Sequence, residues 1–111
     1  MSEAPELFRF WDVSPQAAGW RVRLVRKAQP LSQLAFAEEL GLTKDTVAKW
    51  EQGKALPTYE HLRRIAKRFQ VTTDFIVIGD WSHLPGRSQD ALAAQARAET
   101  PAAAPAEQNQ G

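Results

Sequence analysis

The stretch from Leu31 to Gly53, LSQLAFAEELGLTKDTVAKWEQG, constrains this chain more than any other. Leu31, Phe36, Ala37 and Leu40 repeat as one apolar face, Gly41 interrupts, and Leu42, Val47 and Trp50 begin a second face. That pattern reads as two short helices joined by a tight turn. Ser32 and Thr43 stand where a side-chain oxygen can accept from an orphan backbone N–H at each helix start, and Gly53 can turn left-handed where the second helix stops. Once the apolar face is assigned, Lys44, Asp45, Ala48 and Lys49 remain on the other side, near the N-terminal end of the second helix.

The flanking sequence extends the helical reading. Ser14 and Pro15 form an N-cap followed by proline at the first helical position, opening a helix to about Ala28 with Ala18, Val22 and Val25 as its inner stripe. Arg21, Arg23, Arg26 and Lys27 fall on the rest of its surface. Pro30 requires a turn that lacks one backbone donor and holds Gln29 out of the α region. Helices are expected over about 33–40 and 44–52, with Trp50 in the core. A further helix after the Thr58 cap carries Leu62, Ile65, Ala66 and Phe69 inward, with Glu60 near its positive end. A last one, after Thr72, buries Phe75 and Ile76 and stops at Gly79. The cations Arg63, Arg64, Lys67 and Arg68 read as a solvated face.

Four segments follow: an N-terminal arm (1–13), a helical domain (14–79), a loop with a short helix (80–99) and a tail (100–111). In the arm, Leu7, Phe10 and Trp11 sit at helical spacing and can pack on the domain or on a second subunit; a flexible arm is the alternative. Trp81 and Leu84 give the loop two apolar residues, and a weakly amphipathic helix can start behind Ser88. The tail, built from Ala, Pro, Gln and Glu, is expected to be disordered.

At 111 residues the chain is one domain's worth, and without cysteine it has neither disulfides nor thiolate metal ligands, which fits a reducing cytosol. No leader and no apolar run of membrane length is visible, so a cytoplasmic protein without membrane contact is expected. The net charge of +1 is unevenly spread. Residues 20–79 carry 11 Lys or Arg against 6 Asp or Glu, while both ends are acidic, an asymmetry that suits a polyanionic partner for the middle. No phosphate loop, nucleophile elbow or metal-binding pair appears, and His61 and His83 lie on separate elements, so neither an enzyme nor a cofactor site is expected.

The run LSQ, FA, LGLT, TV, KWEQGK and Pro57, followed by HLRRIAKRFQVTTDFIV, resembles the phage repressor and Cro type of helix-turn-helix, the xenobiotic-response-element family, over roughly residues 20–79. The resemblance implies an all-α, five-helix repressor-like bundle with flexible or weakly ordered extensions. It implies an ion pair between Arg26 and Glu51, and a Gln33 that binds a DNA phosphate and braces the first reading residue. Thr43 and Lys54 would then hold the groove edges. Lys44, Asp45, Ala48 and Lys49 would read bases, lysine donating to guanine and a carboxylate accepting from cytosine. Pairing of Asp45 with Lys49 at i, i+4 is the competing role.

The function expected is sequence-specific binding of double-stranded DNA by a transcriptional regulator, a repressor acting as a homodimer on a palindrome. The dimer surface would be either residues 56–59 with 75–78, as the resemblance implies, or the aromatic arm. The alternative is an antitoxin or adaptor that binds a protein partner through that arm.

Overall fold

A computed structural model describes residues 4–99. The expectation for the tail, 100–111, lies outside them. The described residues form seven α-helices: α1 (Ala4–Leu7), α2 (Pro15–Ala28), α3 (Gln33–Leu40), α4 (Lys44–Glu51), α5 (Tyr59–Phe69), α6 (Thr73–Ile78) and α7 (Gly86–Glu99). The all-α bundle expected from the sequence is therefore the one observed, with a further helix at each end.

Helix starts follow local chemistry. Ser14, Ser32, Thr43, Thr58 and Thr72 sit in extended conformation before α2 to α6, and each accepts through its hydroxyl from the backbone N–H three residues on. Each removes one orphan donor. Gly41 and Gly79 end α3 and α6 in the left-handed region at φ 71° and 78°. Gln29 departs from expectation: it stays in the α region at φ −83°, ψ −9°, and its N–H closes a tight turn on the Arg26 carbonyl at 3.2 Å. Leu31 N–H then reaches the same carbonyl at 3.0 Å, so the turn across Pro30 is completed without the missing donor.

The core gathers Val22, Leu24 and Val25 of α2, Phe36 and Leu40 of α3, Val47 and Trp50 of α4, Ile65 and Phe69 of α5, and Phe75 and Ile76 of α6. Phe36 and Phe69 stack with ring centroids 4.8 Å apart. Both extensions take part. Phe8, just after α1, is buried and meets Phe75 edge-on at 5.2 Å, and Leu92 and Ala96 of α7 are buried in the same cluster. Phe8 escaped the periodicity argument because the arm is not one helix: Arg9 and Trp11 adopt positive φ, 54° and 70°, and turn the chain back.

Arg21 corrects the reading of α2. Helical spacing puts it on the outer surface, yet it is fully buried. Its guanidinium donates to the carbonyls of Phe8 at 2.9 Å, Asp12 at 2.8 Å, and Ile76 and Val77 at 3.1 Å each, and also to that of Arg9. Two of these carbonyls are the orphan acceptors at the C-terminal end of α6, where a cation is favoured. Burial lowers the Arg21 pKa to about 10, still far above neutrality, so the group is charged at neutral pH. One side chain thus fastens the arm to the end of α6.

Candidate nucleic-acid interface

α4 presents two unlike faces. Val47 and Trp50 are buried, whereas Thr43, Lys44, Asp45 and Lys49 are exposed and Ala48 is half-buried between them. Trp50 is 2% exposed and packs near His61, with centroids 5.4 Å apart, so its ring is a core element. Asp45 and Lys49 pair at 3.1 Å across one helical turn, with side chains 74% and 55% exposed. At that exposure the pair is worth at most about 1 kcal/mol, so a base edge or a phosphate can replace either partner at little cost. Thr43 Oγ1 lies 3.0 Å from Thr46 Oγ1 while capping α4.

The position of α4 is set from behind. Gly19 of α2 lies against the Trp50 carbonyl, and a Cβ built there would stand 1.9 Å from that oxygen. Arg26 fastens three elements: Nε and Nη2 donate to Glu51 Oε2 and Oε1 at 2.7 and 3.0 Å, and Nη1 donates to the Leu31 carbonyl at 2.8 Å. Both partners of this fork are nearly buried. Such a bidentate pair fixes direction as well as distance. Gln33, first residue of α3, donates its amide to Glu51 Oε1 at 3.1 Å. Its side chain therefore rests on the end of α4 rather than bracing Lys44 at the start. Ser32 accepts from Ala35, which leaves the backbone N–H groups of the first turn directed outward.

Beyond α4, Gly53 takes φ 75° and stands against Gln16, where a Cβ would approach its Cγ to 2.9 Å. The Lys54 N–H then returns to the Lys49 carbonyl at 2.9 Å, closing the helix and leaving an exposed lysine at the far edge of the face. Lys44, Asp45, Ala48 and Lys49 share α4, with Gln33 at its C-terminal flank and Thr43 and Lys54 at its two ends. The cations of α5 are differently placed. Arg63 and Arg64 pair with Glu60, and Arg68 with Glu39, all near the surface. Among the described residues no group of His, Cys, Asp and Glu could hold a metal, and no helix is long and apolar enough to cross a membrane.

Comparison with known proteins gives this geometry a family. Residues 22–76 match the family model described as helix-turn-helix. The chain is 35% identical over 60 residues to the HTH-type transcriptional activator BcrR of Enterococcus faecalis, covering 54% of this chain and 29% of that protein. It is 29% identical over 70 residues to the repressor protein C2 of Salmonella phage P22, covering 63% and 32%. The chain thus spans about a third of the length of these curated relatives. Among solved structures, the P22 c2 repressor in complex with a synthetic operator aligns with a TM-score of 0.54 at 28% identity, over 57% of this chain and 96% of that one. A hydroxypropylphosphonic acid epoxidase from S. wedmorenis aligns similarly, with a TM-score of 0.53 and 26% identity, over 59% of this chain and 35% of the enzyme. The fold is thus shared between regulators and an enzyme, and function must be argued from the site. Residues 22–76 are thus a helix-turn-helix domain of the phage repressor and Cro type.

Proposed function

We propose that the chain is a transcriptional regulator that binds double-stranded DNA sequence-specifically, with α4 in the major groove, and that it acts as a repressor. The observation that carries this reading is the solvent-facing set Lys44, Asp45 and Lys49, projecting from a short helix whose opposite side is held by Trp50 and the Arg26–Glu51 fork. Lysine donates to guanine O6 and N7, a carboxylate accepts from cytosine N4, and Ala48 leaves room for a thymine methyl. Thr43, Lys54 and the start of α3 at Gln33 suit the phosphates on either side. The relatives' names support regulation. A cytoplasmic place of action is part of the same proposal.

One module of this size reads only a few base pairs, so a homodimer on a palindrome is part of the proposal. Val13, Leu56 and Val77 are exposed apolar residues that line one shallow cavity together with Pro57, and exposed Tyr59 follows Pro57 at the start of α5. This patch joins the end of the arm to the α6 surface, so the two interfaces considered from sequence meet in one area. For the alternative, binding of another protein through the arm, Trp11 is the exposed aromatic at 66%, while Phe8 is buried and Phe10 packs on Trp81 at 5.4 Å. Selection of bound sites from random duplexes tests the main reading: recovery of a two-fold symmetric consensus is expected. Failure to enrich any sequence would sink it.

A further inference from the structure

The last turn of α7 brings a carboxylate to the basic side of α2. Glu99 Oε1 accepts from Arg23 Nε at 2.9 Å, and its Oε2 accepts from Lys27 Nζ at 2.8 Å and Gln95 Nε2 at 3.2 Å. Arg23 also extends Nη1 to within 3.7 Å of Glu51 Oε1, the oxygen that receives the Gln33 amide. The guanidinium of Arg23 and the amide of Gln33 are thus separated by one carboxylate oxygen. We propose that Arg23 and Lys27 form an additional phosphate-binding site beside Gln33, and that Glu99 occupies it in the free chain as an intramolecular competitor of the DNA backbone. The inference rests on the DNA-binding reading above and adds to it two contact residues and a regulator of affinity.

Three observations support it. First, the cations remain accessible: the side chains of Arg23 and Lys27 are 37% and 34% exposed, against 16% for Glu99. Second, the local charge is unbalanced. Among the described residues Arg23, Arg26 and Lys27 share the carboxylates of Glu51 and Glu99, and a phosphate offers the same paired acceptor oxygens as the carboxylate it would replace. Third, Glu99 is poorly placed for its own helix, because a negative charge in the last turn opposes the helix dipole, and within α7 it accepts from the Gln95 amide at 3.2 Å. α7 is held elsewhere, by buried Leu92 and Ala96 and by Gln89, whose amide donates to the Trp81 and Leu84 carbonyls at 3.0 and 3.1 Å. The Glu99 side chain can therefore release Arg23 and Lys27 while Leu92 and Ala96 stay in the core. The two cations hold the Glu99 carboxyl well below its ordinary range, at a pKa of about 2, so the competitor is charged at any physiological pH.

The test is titration of the full chain and of Glu99→Gln against a selected operator and a scrambled duplex at several salt concentrations. The variant is expected to bind both duplexes more tightly, and its salt dependence to steepen by about one to two units, one for each phosphate newly engaged. Adding Arg23→Ala and Lys27→Ala to that variant should return the slope to the parent value or below. Unchanged affinity and slope in Glu99→Gln, with helicity retained, would overturn the proposal. If the variant loses helicity, Glu99→Ala decides, because alanine is the best helix former and carries no charge: a steeper slope than the parent's supports the site, an unchanged one refutes it. If neither parent nor variant binds any duplex, the regulator reading itself fails and the site falls with it.

Discussion

Gly19 and Trp50 meet backbone to backbone: the space a side chain would need at residue 19 is filled by the Trp50 carbonyl, 1.9 Å from an ideal Cβ. In an exposed helix Gly→Ala stabilises by roughly 0.5 to 1 kcal/mol. Here the sign reverses, because the obstacle is backbone and cannot rotate away. Gly19→Ala should cost at least about 1 to 3 kcal/mol and shift α4 against α2. Thermal melting together with operator affinity checks this, and a variant as stable as the parent would show that the helices are further apart than described.

Trp50 itself fills the space between α4 and α5. Trp50→Ala should lose about 3 to 5 kcal/mol, since the cavity left in so small a core cannot close fully. Chemical denaturation measures it. Unchanged stability with lost DNA affinity would move the ring to the DNA surface.

Arg21→Met keeps the bulk of the side chain and deletes its donors to five carbonyls of the arm and α6, of which that of Arg9 keeps a bond from the Asp12 N–H at 2.9 Å. A loss of at least about 2 kcal/mol is expected, with faster amide exchange at Trp11, whose N–H is bonded to the Ile78 carbonyl at 2.8 Å. Retained protection there would mean that Phe8 alone holds the arm.

Glu99 gives a pH signature. Its folded pKa, about 2, lies below the ordinary 4.5, so between those values the unfolded chain binds the extra proton and stability rises with pH. The contribution is complete above 4.5 and is lost as pH falls through about 2. Melting of the parent should exceed that of Glu99→Gln at neutral pH, with the gap closing in acid. A gap independent of pH would remove the ion pairs from the account.

Base readers and phosphate holders should fail differently. Lys44→Ala and Lys49→Ala should each cost about 1 to 3 kcal/mol on the right operator and much less on scrambled DNA. Lys54→Ala should weaken all duplexes alike and lower the salt slope by about one unit. Asp45→Ala removes a carboxylate near phosphates and also frees Lys49, so it should raise non-specific binding and relax preference at one base pair. Equal losses on both duplexes for Lys44 and Lys49, with altered specificity for Lys54, would reverse the orientation of α4.

What the sequence determined by itself is what depends on neighbours within one or two helical turns. Each hydroxyl cap from Ser14 to Thr72 acts on an N–H three residues away, and the glycines at 41, 53 and 79 stop helices through their own φ. Periodicity likewise placed Val22, Val47, Trp50, Phe69 and Phe75 inside and left Lys44, Asp45 and Lys49 outside. Only the tertiary structure decided the rest, because the partners lie far apart in the chain and composition carries no signal for them. Arg21 looked like one more surface cation of α2 until the ends of the arm and of α6, the latter 55 residues away, turned their carbonyls toward it. Gly19 looked like an ordinary helical residue until α4 crossed it. Glu99 looked like the end of a weak helix, and it is the distance of 76 residues to Arg23, closed by the burial of Leu92 and Ala96, that makes it part of the same charged corner as Gln33.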